Sequence, residues 1–249
     1  MAKTRAYAIG QTEPFQISRA KLDNFIKCPR CFVLDRRHRI APPSGPMFTL
    51  NSAVDGLLKK EFDVCRENQT VHPDLAQLGA AFVPLKDDRI EDWQNTRKGV
   101  IYHDVASNLI LTGAIDDMWI TPGSPEVHII DYKTTSKAEP VTELGHEEYH
   151  DAYRRQLDIY NFLLGKNGLE MSTTGYWFYA TAMKNYDDFE MKLNFVPSLI
   201  AYECQPDWIP ESLLRVKEAL ENPVLADPSP TCGTCNYVSS RIELAPQPK

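Results

Sequence analysis

Asp116, Asp131 and Lys133 stand in two neighbouring apolar segments, GAIDDMWI and VHIIDYKT. Side chains of a strand alternate between faces. Asp131 and Lys133 therefore share one face with Tyr132 opposite, and Asp116 is expected on a face with Ala114 and Met118. The Gly/Pro turn TPGSPE joins the segments, so the two strands should pair. The carboxylates then converge with the lysine beside them. Acids inside apolar strands are costly unless a cation or donor compensates, and hard oxygen ligands of this kind suit Mg²⁺. A divalent ion there would polarise a phosphoryl oxygen and lower the pKa of bound water. A nearby lysine can orient or deprotonate that water. The chemistry available to such a set is metal-assisted phosphodiester hydrolysis. A same-face Asp–Lys ion pair is the plainer alternative.

Further candidates lie on two helical segments. Tyr149, Tyr153, Gln156, Tyr160 and Leu163 form one stripe at helical spacing, with Gln156 a polar residue on an apolar-aromatic face. It reads either as a core glutamine bonded to backbone or as a ligand or substrate contact. In the segment from Leu50 to Glu67, Glu61 falls within the arc of Leu50, Val54, Leu57 and Cys65, while Asp55 lies at its edge near Leu58 and Phe62. Either carboxylate could reach a metal. The plainer readings are a carboxylate paired with a basic neighbour for Glu61 and a solvated flank residue for Asp55.

Four of the six cysteines form two C-x-x-C pairs, Cys28/Cys31 and Cys232/Cys235; Cys65 and Cys204 stand alone. In a reducing compartment such pairs are metal ligands more readily than disulfides, and paired C-x-x-C is a common tetrahedral zinc arrangement.

The elements that must position these residues follow from pattern. Ser18 is a helix cap for a segment from Ile17 to about Ile40, which APPSGP (41–46) ends. A second helix covers about Leu50 to Glu67, and residues 70–98 hold a short helix at most. VIYHDV (100–105), LILTGAIDDMWI (109–120) and VHIIDYKT (127–134) read as three strands. A long helix follows from about Glu147 to Leu164, then a strand at 172–181. Residues 192–204 read as a strand pair or one bent strand, interrupted by Pro197, and Ile209 to Leu220 as a helix. The tail from Pro223 is Pro-rich.

Length and composition bound the rest. The chain has 249 residues, 43% hydrophobic and 24% charged, enough for a real core and ordinary for a globular protein. The net charge of −7 excludes a globally basic nucleic-acid footprint. One local exception is 19–39, with seven Lys/Arg against Asp23 and Asp35. That stretch reads as a solvated helix face or as a track for a nucleic-acid backbone. No apolar run is long enough to span a membrane, and MAKTRAYAIG lacks the apolar core of a signal peptide. The expected location is cytoplasmic, with no membrane partner.

GAID, then DYK, then QLDIY resembles the G-x-x-D, (D/E)-x-K and Q-x-x-x-Y motifs of the PD-(D/E)XK nuclease superfamily, in the branch of the RecB nuclease domain and the RecB-like CRISPR adaptation nucleases. The resemblance implies an α/β fold with a restriction-endonuclease-like core (helix, three-stranded meander, helix, strand) and cysteine-bearing extensions at both ends. It implies a single nuclease domain over 1–249, with a core at about 48–181 and extensions at 17–47 and 205–249 joined by a cysteine metal site. The implied activity is Mg²⁺- or Mn²⁺-dependent hydrolysis of DNA, in repair, recombination or CRISPR-type processing. DNA is the partner, with a helicase or integrase protein as a further candidate.

By the same resemblance Asp116 and Asp131 are metal ligands, Lys133 is the catalytic lysine, Tyr132 offers its backbone carbonyl to the metal, and Gln156 and Tyr160 form the last motif. Many RecB-like members carry a metal-binding His on the first core helix; here Asp55 fills that slot. Cys28, Cys31, Cys232 and Cys235 match the four-cysteine centre of this branch, which implies a [4Fe–4S] cluster. Members with that cluster have one N-terminal and three C-terminal cysteines. The two-and-two pattern here keeps Zn²⁺ as the alternative. A second reading of the whole chain is a catalytically decayed, nuclease-like DNA-binding or scaffold subunit, and a third is an unrelated zinc protein.

Overall fold

The computed structural model describes residues 5–43, 45–46 and 48–244. Ser44 of the APPSGP break and the last five residues of the C-terminal extension lie outside them. The chain divides into two compact units.

One unit comprises 46–102 and 113–206. Its five-stranded sheet is built from β2 (Val83–Pro84), β5 (Asp117–Ile120), β6 (Val127–Lys137), β7 (Thr174–Met183) and β8 (Phe195–Glu203), in the order β2–β5–β6–β7–β8. β6 and β7 are parallel, with Asp131 beside Trp177 and Lys133 beside Tyr179. A parallel pair needs a crossover, and α6 (Glu148–Lys166) supplies it. The other pairs are antiparallel. The segment 70–98, expected to hold one short helix at most, holds two, α4 (Pro73–Gln77) and α5 (Ile90–Gln94), with β2 between them.

Alternation along β6 sorts its side chains. Ile130 and Tyr132 join a core with Leu58 and Phe62 of α3 (Thr49–Asn68), Leu75, Trp119 and Phe178. The Phe62 ring stacks 5.0 Å from Trp119 and 5.4 Å from Tyr132. Asp131 and Lys133 take the opposite face, where Lys133 meets α6. Pro197, which has no N–H to give to a ladder, is accommodated because β8 is the sheet's edge strand; the chain at 195–203 is one strand.

The other unit comprises the described parts of 1–45, 103–112 and 207–249. β1 (Phe15–Ser18) runs parallel to β4 (Leu109–Gly113), and β3 (Val100–Asp104) completes a three-stranded sheet in the order β1–β4–β3. Helices α1 (Arg19–Lys27), α2 (Pro29–His38), α7 (Trp208–Glu221) and α8 (Gly233–Glu243) complete the unit.

Two further expectations need correction. The continuous helix over 17–40 is a strand end followed by two helices. Pro29 cannot continue a helix, since it lacks the N–H and its ring clashes with the preceding turn, so the chain breaks at Cys28. The strand over 109–120 is also two elements, β4 and β5, in different sheets. Close packing explains the break. A Cβ on Gly113 would lie 2.7 Å from a ring carbon of Tyr160, and one on Gly99 would lie 2.7 Å from the Gly113 carbonyl oxygen. Asp116 therefore sits in the bend before β5, not on a strand face with Ala114 and Met118.

Candidate active site and cysteine centre

Asp116 reaches its neighbours from that bend. Its Oδ2 accepts the backbone N–H of Tyr132 at 3.0 Å, which fixes the carboxylate against β6. Its Oδ1 accepts from Lys59 Nζ at 2.9 Å. Lys59 lies one helical turn after Asp55 on α3, and its ammonium is also 3.1 Å from Asp55 Oδ2. One lysine thus bridges two carboxylates. Burial opposes the Lys59 charge, but Asp116 and Asp55 outweigh it and hold the amine above its ordinary value. Burial and then the like charge of Asp116 raise the Asp55 carboxyl.

Asp131 is fully buried and pairs with Lys133. Lys133 Nζ also donates to Gln156 Oε1 at 3.2 Å and lies 4.2 Å from the centre of the Tyr153 ring. Burial would lower its pKa; Asp131 and then Asp116 reverse the sign and raise it. The two carboxylates thus favour the charged form of Lys133. Gln156 passes the alignment on, its Nε2 donating to the Tyr160 hydroxyl at 3.3 Å, while the Tyr160 ring rests on Gly113. The last motif acts here as a brace that holds Lys133. A cavity of about 420 Å³ opens on Lys133, with Tyr149, Tyr153 and Tyr179 in its wall.

The neighbouring acid is structural. Asp117 is buried and accepts from Arg66, the Met118 N–H, Trp119 Nε1 and the Tyr132 hydroxyl. Burial, and then Asp117, push the Tyr132 phenol well above its ordinary value. The Asp-Asp dipeptide is thus split between a half-buried bend and the core. Glu61 has a different partner. It is 59% exposed and faces His72 Nε2 at 3.4 Å, whereas the Asp55 side chain is 36% exposed. The helical arc that made Glu61 a candidate is wrong because Leu50 and Leu57 are themselves exposed.

Asp55, Asp116 and Asp131 offer hard oxygens, and two lysine ammoniums already compensate them, so the site is built to hold positive charge. Among the described residues only the cysteines bring three or more such ligand atoms within 4.8 Å of one another; Lys59 lies between Asp55 and Asp116, and Lys133 pairs with Asp131.

The cysteine centre has a repeated local design. Cys28 caps α2 and Cys31 lies in its first turn; Cys232 caps α8 and Cys235 lies in its first turn. Each C-x-x-C pair therefore sits at a helix N-terminus, whose dipole favours thiolate. The four sulfurs lie within 4.8 Å of one another, with Cys28–Cys235 at 3.9 Å, Cys31–Cys232 at 3.6 Å and Cys31–Cys235 at 3.3 Å. Burial opposes the Cys28 thiolate, but bonds from Ser229 and Cys31 bring its pKa down to about 6. All six cysteines are free thiols. The basic stretch carries Cys28 and Cys31, but most of its charges are engaged: Lys21 and Arg36 with Asp35, Lys27 with Asp23, and Arg30 and Arg37 with the carbonyls of Ala226 and Asn222.

A mixed sheet flanked by helices and built around a βαβ crossover is consistent with a restriction-endonuclease-like fold. The sequence profile of the PD-(D/E)XK nuclease superfamily matches residues 16–240, and the chain belongs to that superfamily. Membership points to nuclease activity and to DNA as the bound polymer, and its members typically use divalent metals. A comparison with curated proteins gives no match. No helix among the described residues is long and apolar enough to cross a membrane.

Proposed function

We propose that the chain is a Mg²⁺- or Mn²⁺-dependent deoxyribonuclease. The observation that carries this reading is the convergence of Asp116, Asp131 and Lys133 from a bend and a buried strand, inside the superfamily match. Asp116 and Asp131 would hold the ion, with the Tyr132 carbonyl beside it and Asp55 completing the acidic set. The ion supplies a polarised phosphoryl oxygen and a more acidic water. Lys133, kept protonated by Asp131, donates to the scissile phosphate or orients the water, which stabilises developing negative charge. Gln156 and Tyr160 keep its ammonium in place. The cavity beside Lys133 gives room for a nucleotide flanking the scissile bond.

The test is incubation with end-labelled single- and double-stranded DNA, with Mg²⁺, with Mn²⁺ and with chelator. Cleavage that needs the ion supports the reading. The second reading, a decayed nuclease-like DNA-binding subunit, draws on one observation: each of the three carboxylates has a lysine at it. DNA binding without cleavage under any divalent ion would favour it.

Asp55 and Glu61 separate by experiment. Asp55→Ala throws Lys59 wholly onto Asp116 and should raise the Mg²⁺ concentration needed for half-maximal cleavage by about tenfold, the effect of losing roughly 1.4 kcal/mol of binding. Glu61→Gln, out beside His72, should leave that concentration unchanged. A larger shift from Glu61→Gln would reverse the assignment.

For the cysteine centre the sulfur spacing supports a single zinc ion over the iron–sulfur cluster. A tetrahedral ion with Zn–S bonds of about 2.3 Å sets its sulfurs roughly 3.8 Å apart; here three pairs lie at 3.3–3.9 Å and all four sulfurs within 4.8 Å of one another. A four-iron cube, with one thiolate per corner iron, would hold them further apart.

A further inference from the structure

We infer that Lys59 is the resident cation of the active site: its ammonium fills the position between Asp55 and Asp116, so that the centre takes one divalent ion per chain and not two. The inference rests on the metal-dependent reading above and deepens it.

Charge and geometry carry the argument. Asp55, Asp116 and Asp131 bring three negative charges, and Lys59 and Lys133 return two positive ones. The residual single negative charge suits one divalent ion. A second would leave the centre strongly positive before any substrate phosphate arrives. Lys59 is placed for this part by its spacing. Residues four apart on a helix share a face, so its stem rises directly over Asp55, and its Nζ reaches 3.1 Å from Asp55 and 2.9 Å from Asp116. The side chain is 23% exposed, so the ammonium is partly withdrawn from water and acts on these carboxylates at reduced screening. Asp116 divides its two oxygens: Oδ1 takes Lys59 and Oδ2 takes the Tyr132 N–H. The Asp55 side of Asp116 is thereby closed to a second ion, while the Asp131 side lies across from Lys133. In two-metal centres the ions sit about 3.5–4 Å apart on shared carboxylates; here the tethered ammonium of Lys59 stands on the carboxylate pair that a second ion would share. Lys59 is a positioning residue in this scheme. It fixes the number and place of the divalent ion and does not itself touch the reacting atoms.

The experiment counts Mn²⁺ bound to chelator-treated, desalted full-length protein from the loss of the free aqua-ion's EPR signal. The Asp131→Ala chain serves as the baseline. Wild type should bind one ion per chain above baseline. Lys59→Met, which keeps the length and loses the charge, should bind two. Lys59→Arg should stay at one, and Asp55→Asn/Lys59→Met should return to one because the second ion loses a carboxylate. Thermal melts give an independent readout: Lys59→Met should melt lower than wild type in chelator and recover with Mn²⁺. If Lys59→Met does not fold, Lys59→Gln replaces it. Two ions on wild type, or no gain on removing the Lys59 charge, would overturn the inference while leaving the nuclease reading intact. Wild type that binds no more Mn²⁺ than Asp131→Ala would instead sink the metal-dependent reading itself.

Discussion

Replacing Lys133 with alanine should reduce DNA cleavage by about 10²–10⁴-fold, the range for a positioned proton donor or acceptor, while the chain still binds Mn²⁺. Lys133 is held at three points: the Asp131 carboxylate, Gln156 Oε1 and the Tyr153 ring. Its raised pKa keeps it charged through the neutral range, so its loss should cost rate at every pH near 7 and should not shift the pH profile as loss of a base would. The same variant should be less stable without metal. Removing one partner of a buried pair leaves an uncompensated charge, at a cost of about 3–5 kcal/mol, and Asp131 is fully buried. The two effects separate in the double variant. Lys133→Ala/Asp131→Asn should recover the melting temperature in chelator and remain inactive and metal-poor. Lys133→Ala that cuts end-labelled DNA at the wild-type rate would show that the site lies elsewhere.

Much of this site was legible because strand periodicity is local. The faces of Asp131, Tyr132 and Lys133 on β6 follow from alternation alone, and α3 and α6 lie close to the spans their stripes suggested. Asp116 was named for a reason that failed: it stands in a bend, because Gly113 lets Tyr160 approach where a strand would otherwise continue. Only tertiary packing decides that, and it also decides that Asp117 is the structural member of the pair. Lys59 was missed. Its signal was present in the i, i+4 spacing from Asp55, but such pairs usually lie on solvated helix faces. Its second partner, Asp116, is distant in sequence. Glu61 erred in the other direction, since the burial of a helix face is set by what packs on it and α3 leaves Leu50 and Leu57 exposed. The helix α8 lay in a Pro-rich tail with little apolar periodicity, and what marks its start is the second cysteine pair.

Cys232→Ser should release the metal of the cysteine centre and lower the melting temperature substantially. Cys31 and Cys232 are 201 residues apart in sequence, yet their sulfurs lie 3.6 Å apart. A bond network through a metal at that point closes a very long loop in the unfolded chain, worth on the order of 5 kcal/mol in the chain-entropy treatment of crosslinks. For a chain of this size that corresponds to a fall of roughly 10–20 °C. The effect should fall on folding more than on chemistry, because all four ligands sit at the ends of α2 and α8 and none belongs to the Asp116–Asp131–Lys133 set. Colourless protein with one equivalent of zinc is the expected state; brown protein with broad visible absorption that bleaches on reduction would return the centre to iron and sulfur. Retention should drop at acid pH, where thiolate ligands gain protons and the ion loses them. Cys65→Ser and Cys204→Ser are the controls. Both residues are buried and neither belongs to the cluster of four sulfurs. If all four of Cys28, Cys31, Cys232 and Cys235 can be replaced with no loss of metal or of melting temperature, the cluster of sulfurs is a packing feature, and the helix N-termini that carry it hold no ion.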